Sequence, residues 1–494
     1  MNVIYHIIII LYAITLIYIT FYCLLQFRLL YFYNKYHKGI QDRESSEEPQ
    51  DYPFITIQLP IYNEQYVVER LIDNICQLDY PRDRFEIQVL DDSTDNTVDL
   101  VKSKVDQYQQ EGFSIMQIRR SNRKGYKAGA LKEATEKAQG KFIAIFDADF
   151  LPRKTFLKRT IPYFNDPQVG VVQTRWEHIN KDYSLLTTLQ ALQLNVHFTV
   201  EQLGRLAGND MLQFNGTAGV WRRDAINQAG GWSDDTLTED LDLSIRAQLK
   251  GWKIKYLEQV GSPAELPAEM NSFKSQQYRW MKGGAETAKK MLPAVWRSGI
   301  PFSKKFHTTF HLLGSTLFVF VFMLGVLSVP LLFALRQLHL NSGIFSVFII
   351  GTVSIITIYY VANVANRFTN PNGKLSRDIV KFVFLFPVFL AMSMGLSLHN
   401  SIAVLQGYIG KKTAFVRTPK FNIRNIQDTF KKEKYRSGKL DITTVLEGLL
   451  CLYFLFAIIM GFYLGDRSMI LFHGMLALGY GGIFIYSIKH LKID

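Results

Sequence analysis

The sequence predicts an α/β domain combined with an all-α membrane region. From Phe54 to about Glu265, short apolar runs alternate with segments of helical periodicity. This alternation is typical of a three-layer domain with a mainly parallel sheet. Outside that region lie long apolar runs of the length that a membrane-spanning helix requires. A polar and charged segment over residues 34–51 separates the two parts and predicts a linker.

The strands and helices of the α/β region follow from the local pattern. Short, buried-looking runs predict strands at 54–59, 85–90, 141–147 and 169–175. Periodic segments between them predict helices at 66–78, 94–109 and 126–138. Ligands of such sheets bind at the carboxyl ends of the strands, so polar residues directly after a strand are the first candidates for a site.

Six long runs are apolar with very few charged residues, and they cover residues 2–27, about 312–335, 343–366, 382–410, 445–465 and 468–488. A spanning helix needs roughly 20 such residues. The first run is too long for the core of a signal peptide and lacks a basic start and a small-residue cleavage site. It therefore predicts a retained transmembrane helix within residues 1–33.

The run 382–410 is predicted to be an interfacial or re-entrant helix rather than a span. If it crossed the bilayer, the ten basic residues between 411 and 439 would lie outside, against the positive-inside rule. The run also contains polar residues, among them His399 and Asn400. An interfacial helix leaves five spanning helices, with the N-terminus outside and the C-terminus inside.

This topology divides the chain into consecutive parts. They are an N-terminal transmembrane helix (1–33), a linker (34–51), a cytoplasmic α/β domain (52–290), interfacial helices with a transmembrane hairpin (291–410), a cytoplasmic loop (411–440) and a C-terminal transmembrane hairpin (441–494).

The net charge of +13 fits basic residues at the cytoplasmic ends of membrane helices, with the lipid bilayer as partner. We do not expect nucleic acid as a partner. A polyanionic substrate would gain from the same positive field. The positions of the three cysteines, Cys23, Cys76 and Cys451, predict no disulfide or metal framework.

Two pairs of aspartates follow predicted strands. Asp91 and Asp92 come at the end of one strand, and Asp147 and Asp149 follow another. Carboxylates in this position can bind a hard cation and leave coordination positions for a diphosphate. The alternative for each pair is a turn or helix cap formed by Asp side chains, but two such pairs in one domain favour the metal and donor site.

A third acidic cluster lies in residues 236–247. Thr238 can cap a helix whose first turn holds Glu239 and Asp240, where the helix dipole favours acids. The other interpretation is that Asp240 or Glu239 is a general base. The segment alone favours the cap.

Two basic segments complete the candidate set. Lys127 lies in a glycine-containing stretch where backbone and cation can approach an anion, although the segment in isolation favours a solvated basic helix start. At helical spacing, Gln276 and Arg279 share a face, beside Trp280. An arginine fork suits a diphosphate, and a tryptophan face suits a sugar ring or a membrane interface.

Together these motifs resemble the family 2 glycosyltransferases, specifically the membrane-embedded cellulose synthase and hyaluronan synthase group. A further match lies at 415–420, which is similar to the gating loop FxVTxK of that group, with Phe415, Thr418 and Lys420 in place and Arg417 where many members have Val. Segments such as "HFTVEQ" and "FNGTAGVW" are closest to the plant cellulose-synthase-like synthases of glucomannan and xyloglucan backbones.

The resemblance implies a GT-A domain that binds a nucleotide-diphospho-sugar with Mg²⁺ or Mn²⁺. It also implies a role for each matching residue. These are Asp240 as base with Glu239 beside it; Asp91 and Asp92 at the nucleoside; Asp149 with Asp147 at the metal and donor; Lys127 and Arg279 at the diphosphate; Thr418 and Lys420 over the nucleotide; Trp280 and Gln276 at the acceptor; and Phe214, Asn215 and Gly216 along the acceptor channel.

The implied function is an inverting, processive synthase of a β-linked hexose polymer, with β-1,4 as the expected linkage, that also translocates the growing glycan. The setting implied is a plasma, inner or Golgi-type membrane, with the catalytic domain in the cytoplasm. A non-processive transferase acting on a lipid such as diacylglycerol or ceramide is the alternative, and a transporter or scaffold with an inactive domain is the third. UDP-glucose and GDP-mannose both fit as donors, with UDP-glucose ahead on abundance. Linkage, chain length and oligomeric state stay open.

Overall fold

The structure is a computed structural model that describes residues 2–39, 52–366, 368, 374–413, 417–423, 428 and 441–491. Its α/β domain is built on one seven-stranded sheet with strand order β3-β2-β1-β4-β6-β5-β7. The strands are β1 Ile55–Ile61, β2 Phe85–Asp91, β3 Ile115–Ile118, β4 Phe142–Ile145, β5 Val169–His178, β6 Gly219–Arg222 and β7 Lys253–Ala264.

The sheet is mainly parallel, as expected. The exception is β6, which pairs antiparallel with both β4 and β5. Every residue of β2 is buried, as are six of the seven in β1, because helices cover both faces of the sheet. The four strands expected from the sequence are present, whereas β3, β6 and β7 are additional. The order reverses between β1 and β4, and a crevice for ligands opens at such a switch point.

The helices of the α/β domain connect these strands. They are α2 Val68–Ile75, α3 Thr97–Gln110, α4 Tyr126–Lys137, α5 Phe156–Thr160, α6 Leu185–Val196, α7 Gln202–Ala207, α8 Arg223–Gln228, α9 Glu239–Leu249 and α10 Met270–Arg297. The three expected helices correspond to α2, α3 and α4. Helix α10 runs through the expected domain boundary at residue 290 and so joins the α/β domain to the membrane region without a break.

The remaining helices form the membrane region. They are α1 Asn2–Gly39, α11 Phe302–Leu312, α12 Leu317–Gln337, α13 Ile349–Tyr360, α14 Leu375–Gly395, α15 Ser397–Ile409, α16 Ile442–Leu464 and α17 Ile470–Lys489. Helix α1 extends to Gly39, so the first residues of the expected linker are helical. The rest of that linker lies outside the described residues.

By length and composition alone, six helical segments among the described residues could cross a bilayer. Five coincide with the expected spans, and the sixth is α14. The expected single helix at 382–410 is instead two helices, because the chain turns at Leu396 between α14 and α15. Close packing accompanies this turn: a Cβ added to Gly395 would lie 2.4 Å from the carbonyl carbon of Gly479 in α17. The interfacial placement of 382–410 stays a prediction.

The core on one side of the sheet includes residues of the membrane helices. Leu29, Leu30 and Tyr33 of α1 and Ile358 of α13 are buried together with side chains of β4 and β6. The α/β domain therefore packs directly against the membrane region, and the carboxyl ends of its strands lie next to membrane helices.

Candidate active site

A cleft of about 240 Å³ opens at the carboxyl ends of the central strands. Its walls come from the segments after β1, β2 and β4, from the first turns of α9, from the face of α10 and from the segment 417–420. The candidate residues that line it are Asp92, Lys127, Asp147, Asp149, Asn215, Gly216, Glu239, Asp240, Gln276, Arg279, Trp280, Thr418 and Lys420. Asp91 and Phe214 are the two candidates that do not line it.

The neighbouring carboxylates Asp91 and Asp92 point to different surroundings. Asp91 is buried, and its oxygens accept hydrogen bonds from the Ser93 amide at 2.9 Å and from Gln117 Nε2 at 2.8 Å. The turn interpretation therefore describes Asp91. Asp92 lines the cleft, and Arg120 binds both of its oxygens, with Nε to Oδ1 at 3.0 Å and Nη2 to Oδ2 at 2.5 Å. The assignment of Asp91 to donor binding stays a prediction.

The carboxylates Asp147 and Asp149 follow β4, and each is paired with a lysine. Lys127 Nζ lies 2.5 Å from Asp147 Oδ1 and donates to the Gly216 carbonyl at 3.0 Å. Lys420 Nζ lies 2.7 Å from Asp149 Oδ2. Burial raises the pKa of Asp147, although Lys127 opposes the rise. Lys127 thus lines the cleft and is paired with a carboxylate, so its interpretation as a solvated helix start is wrong, whereas its contact with the diphosphate stays a prediction.

The acidic cluster at the start of α9 also faces the cleft. The Thr238 side chain does not cap this helix; its hydroxyl lies 3.0 Å from the Thr287 hydroxyl of α10. The capping interpretation, which the segment alone favoured, is therefore wrong for Thr238. Burial, reinforced by the charge of Glu239, raises the pKa of Asp240 to about 7. Burial also raises the pKa of Glu239. A carboxylate with a pKa near neutrality suits a general base.

Helix α10 presents Gln276, Arg279 and Trp280 to the cleft, as the helical spacing predicted. The Arg279 Nη2 donates to Thr418 Oγ1 at 2.8 Å. Burial lowers the pKa of Arg279 to about 10, although the carboxylates of Asp147 and Glu239 counteract this, so the guanidinium stays charged at neutral pH. Trp280 lies at the end of the cleft that faces the membrane region.

The three residues 214–216 occupy different positions. Phe214 is fully buried and packs edge-to-face against Trp221, with ring centroids 5.6 Å apart. It supports the wall from behind, and its place along an acceptor channel stays a prediction. Asn215 lines the cleft. Gly216 has φ +78°, and a Cβ there would lie 3.1 Å from Asp240 Oδ2, so the backbone approaches the candidate base closely only because the residue is glycine.

The segment 417–423 lies in the cleft and contacts several elements. Besides the contacts of Thr418 and Lys420, the Phe421 amide donates to Glu265 Oε1 at 2.9 Å, and Asn422 Oδ1 accepts from Arg70 Nη1 at 2.6 Å. Phe415, the first residue of the gating-loop motif, lies outside the described residues. The described part of the motif is therefore adjacent to Asp149, which the resemblance assigns to the metal.

Sequence reasoning missed Glu64 and His178 of the cleft, and it noted Arg123 only as part of the basic stretch that holds Lys127. Glu64 binds Arg417, Arg123 lies over the Tyr62 ring at 3.1 Å, and His178 ends β5. Burial raises the pKa of Glu64 to about 7 even though Arg417 lowers it. Burial lowers the pKa of His178 to about 3, so its imidazole is neutral. His178 could have been found as a polar residue at a strand end, but no local pattern marks Glu64.

A second cavity of about 390 Å³ adjoins the cleft on the membrane side. Asn215, Asp240 and Trp280 line both spaces. Its other walls are contributed by α1, α6, α12, α13 and α14, and include Tyr22, Phe318, Ile358, Tyr359 and Phe389. The candidate base therefore lies at the junction between a polar cleft and a cavity bounded by membrane helices.

The residues supply part of a divalent-cation site, and a substrate diphosphate would complete it. Among the residues that the structure describes, no group of three or more His, Cys, Asp or Glu side chains is arranged to hold a metal ion. Asp147 and Asp149 supply two carboxylates to the cleft. Mg²⁺ is commonly held by one or two carboxylates plus substrate phosphates. Two carboxylates in a cleft with Arg279 and Lys127 match that requirement.

Residues 53–283 match the sequence model of the family described as "Glycosyltransferase like family 2". The chain is 37% identical over 378 residues to "Probable glucomannan 4-beta-mannosyltransferase 4" of Oryza sativa subsp. japonica, covering 75% of this chain and 66% of that protein. It is 44% identical over 265 residues to "Glucomannan 4-beta-mannosyltransferase 9" of Arabidopsis thaliana, covering 52% of this chain and 50% of that protein. The chain thus spans between half and two thirds of the length of these relatives.

The fold is also similar to a solved structure, "Mannosyltransferase PcManGT from Pyrobaculum calidifontis in complex with GDP-Man and Mn2+". The TM-score is 0.54 at 21% identity, and the match covers 76% of this chain and 99% of that one. This similarity supports the GT-A-like fold of the α/β domain.

Proposed function

Because the chain belongs to the family 2 glycosyltransferases, we propose that it is a membrane-embedded, inverting hexosyltransferase that extends a β-1,4-linked glycan and passes it into its own membrane helices. The observation that carries this proposal is the position of Asp240 and Trp280, which line both the polar cleft and the cavity between the membrane helices. A donor in the cleft and an acceptor in the cavity would meet at Asp240.

The donor is a nucleotide-diphospho-sugar. Arg279 and Lys127 provide cationic hydrogen-bond donors for the diphosphate, and Asp92 with the Tyr62–Arg123 pair lies at the end of the cleft suited to the nucleoside. The relatives are named as mannosyltransferases, so GDP-mannose is the first donor to test and UDP-glucose the second.

A divalent cation, Mg²⁺ or Mn²⁺, would be held by Asp149 and Asp147 together with the diphosphate. When bound, it neutralises the charge that develops on the leaving diphosphate. Positively charged side chains aimed at the same group add to that effect in a site from which water is excluded.

The chemical step follows from the placement of Asp240. An acceptor hydroxyl above Trp280 attacks the anomeric carbon from the face opposite the diphosphate, so one displacement inverts the configuration. The Asp240 carboxylate accepts the hydroxyl proton as the new bond forms, which contributes about 10²–10⁴-fold to the rate. Because burial and the charge of Glu239 raise the pKa of Asp240 to about 7, its carboxylate can both accept and release a proton near neutral pH.

The membrane setting and processivity belong to the same proposal. The catalytic domain would lie on the cytoplasmic side, where basic residues of the 411–439 segment favour it. The cavity bounded by α1, α12, α13 and α14 would be the first part of the path for the glycan.

The test uses the purified full chain in nanodiscs with Mg²⁺ or Mn²⁺ and a panel of GDP- and UDP-sugars. Nucleotide release is measured, and the product is digested with linkage-specific mannanases and glucanases. We expect long polymer that a β-1,4-specific enzyme digests. Nucleotide release that requires an added lipid and yields no polymer would replace this proposal with a lipid transferase, and no release with any donor would contradict a transferase.

A further inference from the structure

The motif "HFTVEQ" has no role in the site described so far, and its structure is unusual. After α6, residues His197–Glu201 form one π-helical turn before α7 begins. Such single π-turns occur frequently at functional sites. This turn places His197 and Glu201 on the wall of the second cavity, with His197 Nδ1 3.1 Å from Glu201 Oε2.

These side chains belong to a continuous polar network on the wall of an otherwise largely apolar cavity. His197 Nε2 lies 2.8 Å from Asn215 Oδ1, which also accepts from Gln213 Nε2 at 2.8 Å. On the other side, Arg205 donates to Glu201 Oε2 at 3.3 Å. Asn215 also lines the catalytic cleft. The network therefore begins beside Asp240 and extends toward the membrane helices.

Glu201 retains one unused oxygen. Within the part of the chain that the structure describes, Oε2 accepts from His197 and Arg205, whereas no hydrogen bond is formed by Oε1. Burial alone would raise the pKa of Glu201, but Arg205 and His197 lower it to about 2. The side chain is thus a carboxylate that only accepts hydrogen bonds and is 21% exposed, on the wall of the cavity. In addition, the Asn215 Nδ2 group is buried and, among the described residues, has no acceptor.

An open carboxylate oxygen and an unpaired amide N–H beside aromatic walls match one class of ligand. A neutral sugar offers hydroxyl groups that donate to the carboxylate and accept from the amide, while its C–H face packs on aromatic rings. Trp176 and Trp280 both line this cavity, and Trp176 is stacked on Phe198 of the π-turn, with centroids 4.8 Å apart. An anionic sugar would be disfavoured by the charge on Glu201.

Resting on the proposed function, we propose that Glu201, oriented by His197 and Arg205, and Asn215 form a subsite for the hydroxyl groups of the acceptor sugar next to the one at the transfer point. The ligand class is a neutral, β-linked oligosaccharide of at least two hexoses. The subsite holds the acceptor chain between rounds of transfer and selects uncharged sugars.

The test is oligosaccharide binding to the full chain in nanodiscs without any donor. Calorimetric titrations compare a β-1,4-linked mannohexaose and cellohexaose with the single hexoses mannose and glucose. Glu201→Gln keeps the shape but removes the charge and one acceptor. The matched control is Glu177→Gln, which also breaks a carboxylate–arginine pair, with Arg175 at 2.7 Å, but lines neither space.

Glu201→Gln is expected to weaken binding of the hexasaccharide by about ten- to a hundred-fold, the effect of losing a hydrogen bond to a charged group. Affinity for the single hexose and the KM for the donor should stay within about twofold of the wild type, because neither reaches this subsite. Glu177→Gln should bind like the wild type. If Glu201→Gln does not fold, His197→Gln gives the same comparison, because it changes the group that orients Glu201.

Unchanged hexasaccharide binding in a folded Glu201→Gln protein overturns the subsite, as does equal weakening for the hexasaccharide and the single hexose. A lower thermal stability with normal binding means that the network is structural only, which also overturns it. The proposed function fails separately. If the wild type binds hexasaccharide but releases nucleotide from no donor, the transferase fails and the subsite stands. If the wild type transfers sugar but Glu201→Gln binds the hexasaccharide normally, the subsite fails and the transferase stands.

Discussion

Arg417 binds Glu64 with both ends of its guanidinium, Nε to Oε1 at 3.0 Å and Nη2 to Oε2 at 2.8 Å, across 353 residues of sequence. Both side chains are largely buried, with 11% and 13% exposed. Such bidentate pairs are among the stronger hydrogen-bonded contacts in proteins. The pair fixes the first described residue of the segment 417–423 to the loop that follows β1.

Replacing Arg417 with valine, the residue that many family members carry, is expected to loosen this segment. Without Arg417 the segment keeps the contacts of Thr418, Lys420 and Phe421, so it should still reach the cleft but dissociate more often. Loss of a hydrogen bond to a charged group corresponds to roughly ten- to a hundred-fold faster opening. Hydrogen exchange of the Phe421 amide, followed by mass spectrometry in the donor-free protein, measures how much more often the segment opens.

The control for Arg417→Val is Lys412→Ala, which removes an exposed cation five sequence positions before Arg417 and should leave exchange unchanged. Turnover of Arg417→Val should stay within about tenfold of the wild type, because the pair holds the segment and does not touch the transfer point. Exchange at the wild-type rate in Arg417→Val would contradict this prediction, because the contacts of Thr418, Lys420 and Phe421 would then be enough to hold the segment.

Asp240→Asn is expected to remove most of the turnover and leave donor binding intact. The amide cannot accept the hydroxyl proton, so kcat should fall by about 10²–10⁴-fold. The nucleotide contacts at Arg279 and Lys127 are unchanged, so the dissociation constant for the nucleotide, measured by titration calorimetry, should stay within about twofold. Asp224→Asn, an exposed carboxylate in the first turn of α8, is the control. Normal turnover in a folded Asp240→Asn protein would falsify the assignment of the base.

The pH dependence of kcat/KM should report the same group. A base works only when deprotonated, so kcat/KM should fall as the pH decreases through about 7, the pKa of Asp240, toward a tenfold loss per pH unit. Burial is the main cause of the raised pKa, and the charge of Glu239 adds to it. Glu239→Gln removes that charge, so the acidic limb of the profile should move to lower pH. A limb that stays in place or moves to higher pH would contradict the electrostatic link between the two residues.

Much of the architecture could be predicted because its signals are local. A buried strand is an apolar run, and its carboxyl end is where the sheet exposes ligand-binding residues. For that reason Asp92, Asp147 and Asp149 were correctly expected near one another, and the helical spacing of Gln276 and Arg279 correctly gave them one face. β3 and β6 are as short as β4, but each contains a polar or charged residue where β4 is entirely apolar, and the long β7 mixes apolar and polar residues, so none of the three carries such a pattern.

The errors concern properties that depend on distant parts of the chain. The Thr238 hydroxyl contacts Thr287 of α10 instead of capping its own helix, because the two helices pack closely there. Lys127 forms an ion pair with Asp147, which lies 20 residues later in the sequence. Glu64, the partner of Arg417, lies in the loop after β1, 353 residues earlier in the sequence. No periodicity in the sequence carries such information.

Lys420 and a divalent cation are expected to compete for Asp149. Lys420 Nζ lies 2.7 Å from Asp149 Oδ2, one of the carboxylates proposed to hold the metal. Without a donor, Mn²⁺ must displace this cation, so Lys420→Ala should bind Mn²⁺ more tightly, by about tenfold or more. Loss of the free Mn²⁺ signal in electron paramagnetic resonance measures the affinity directly. Turnover of the same variant should fall, because a cation that would face the bound nucleotide is lost.

Two reference variants make this competition specific. Asp149→Asn should abolish Mn²⁺ binding above background, since a neutral amide is a poor ligand for a hard cation. Lys412→Ala, which removes a charge without touching Asp149, should bind Mn²⁺ like the wild type. If Lys420→Ala binds Mn²⁺ no more tightly than Lys412→Ala, Lys420 and the metal do not compete for Asp149. If Asp149→Asn binds it as the wild type does, the metal site lies elsewhere in the cleft.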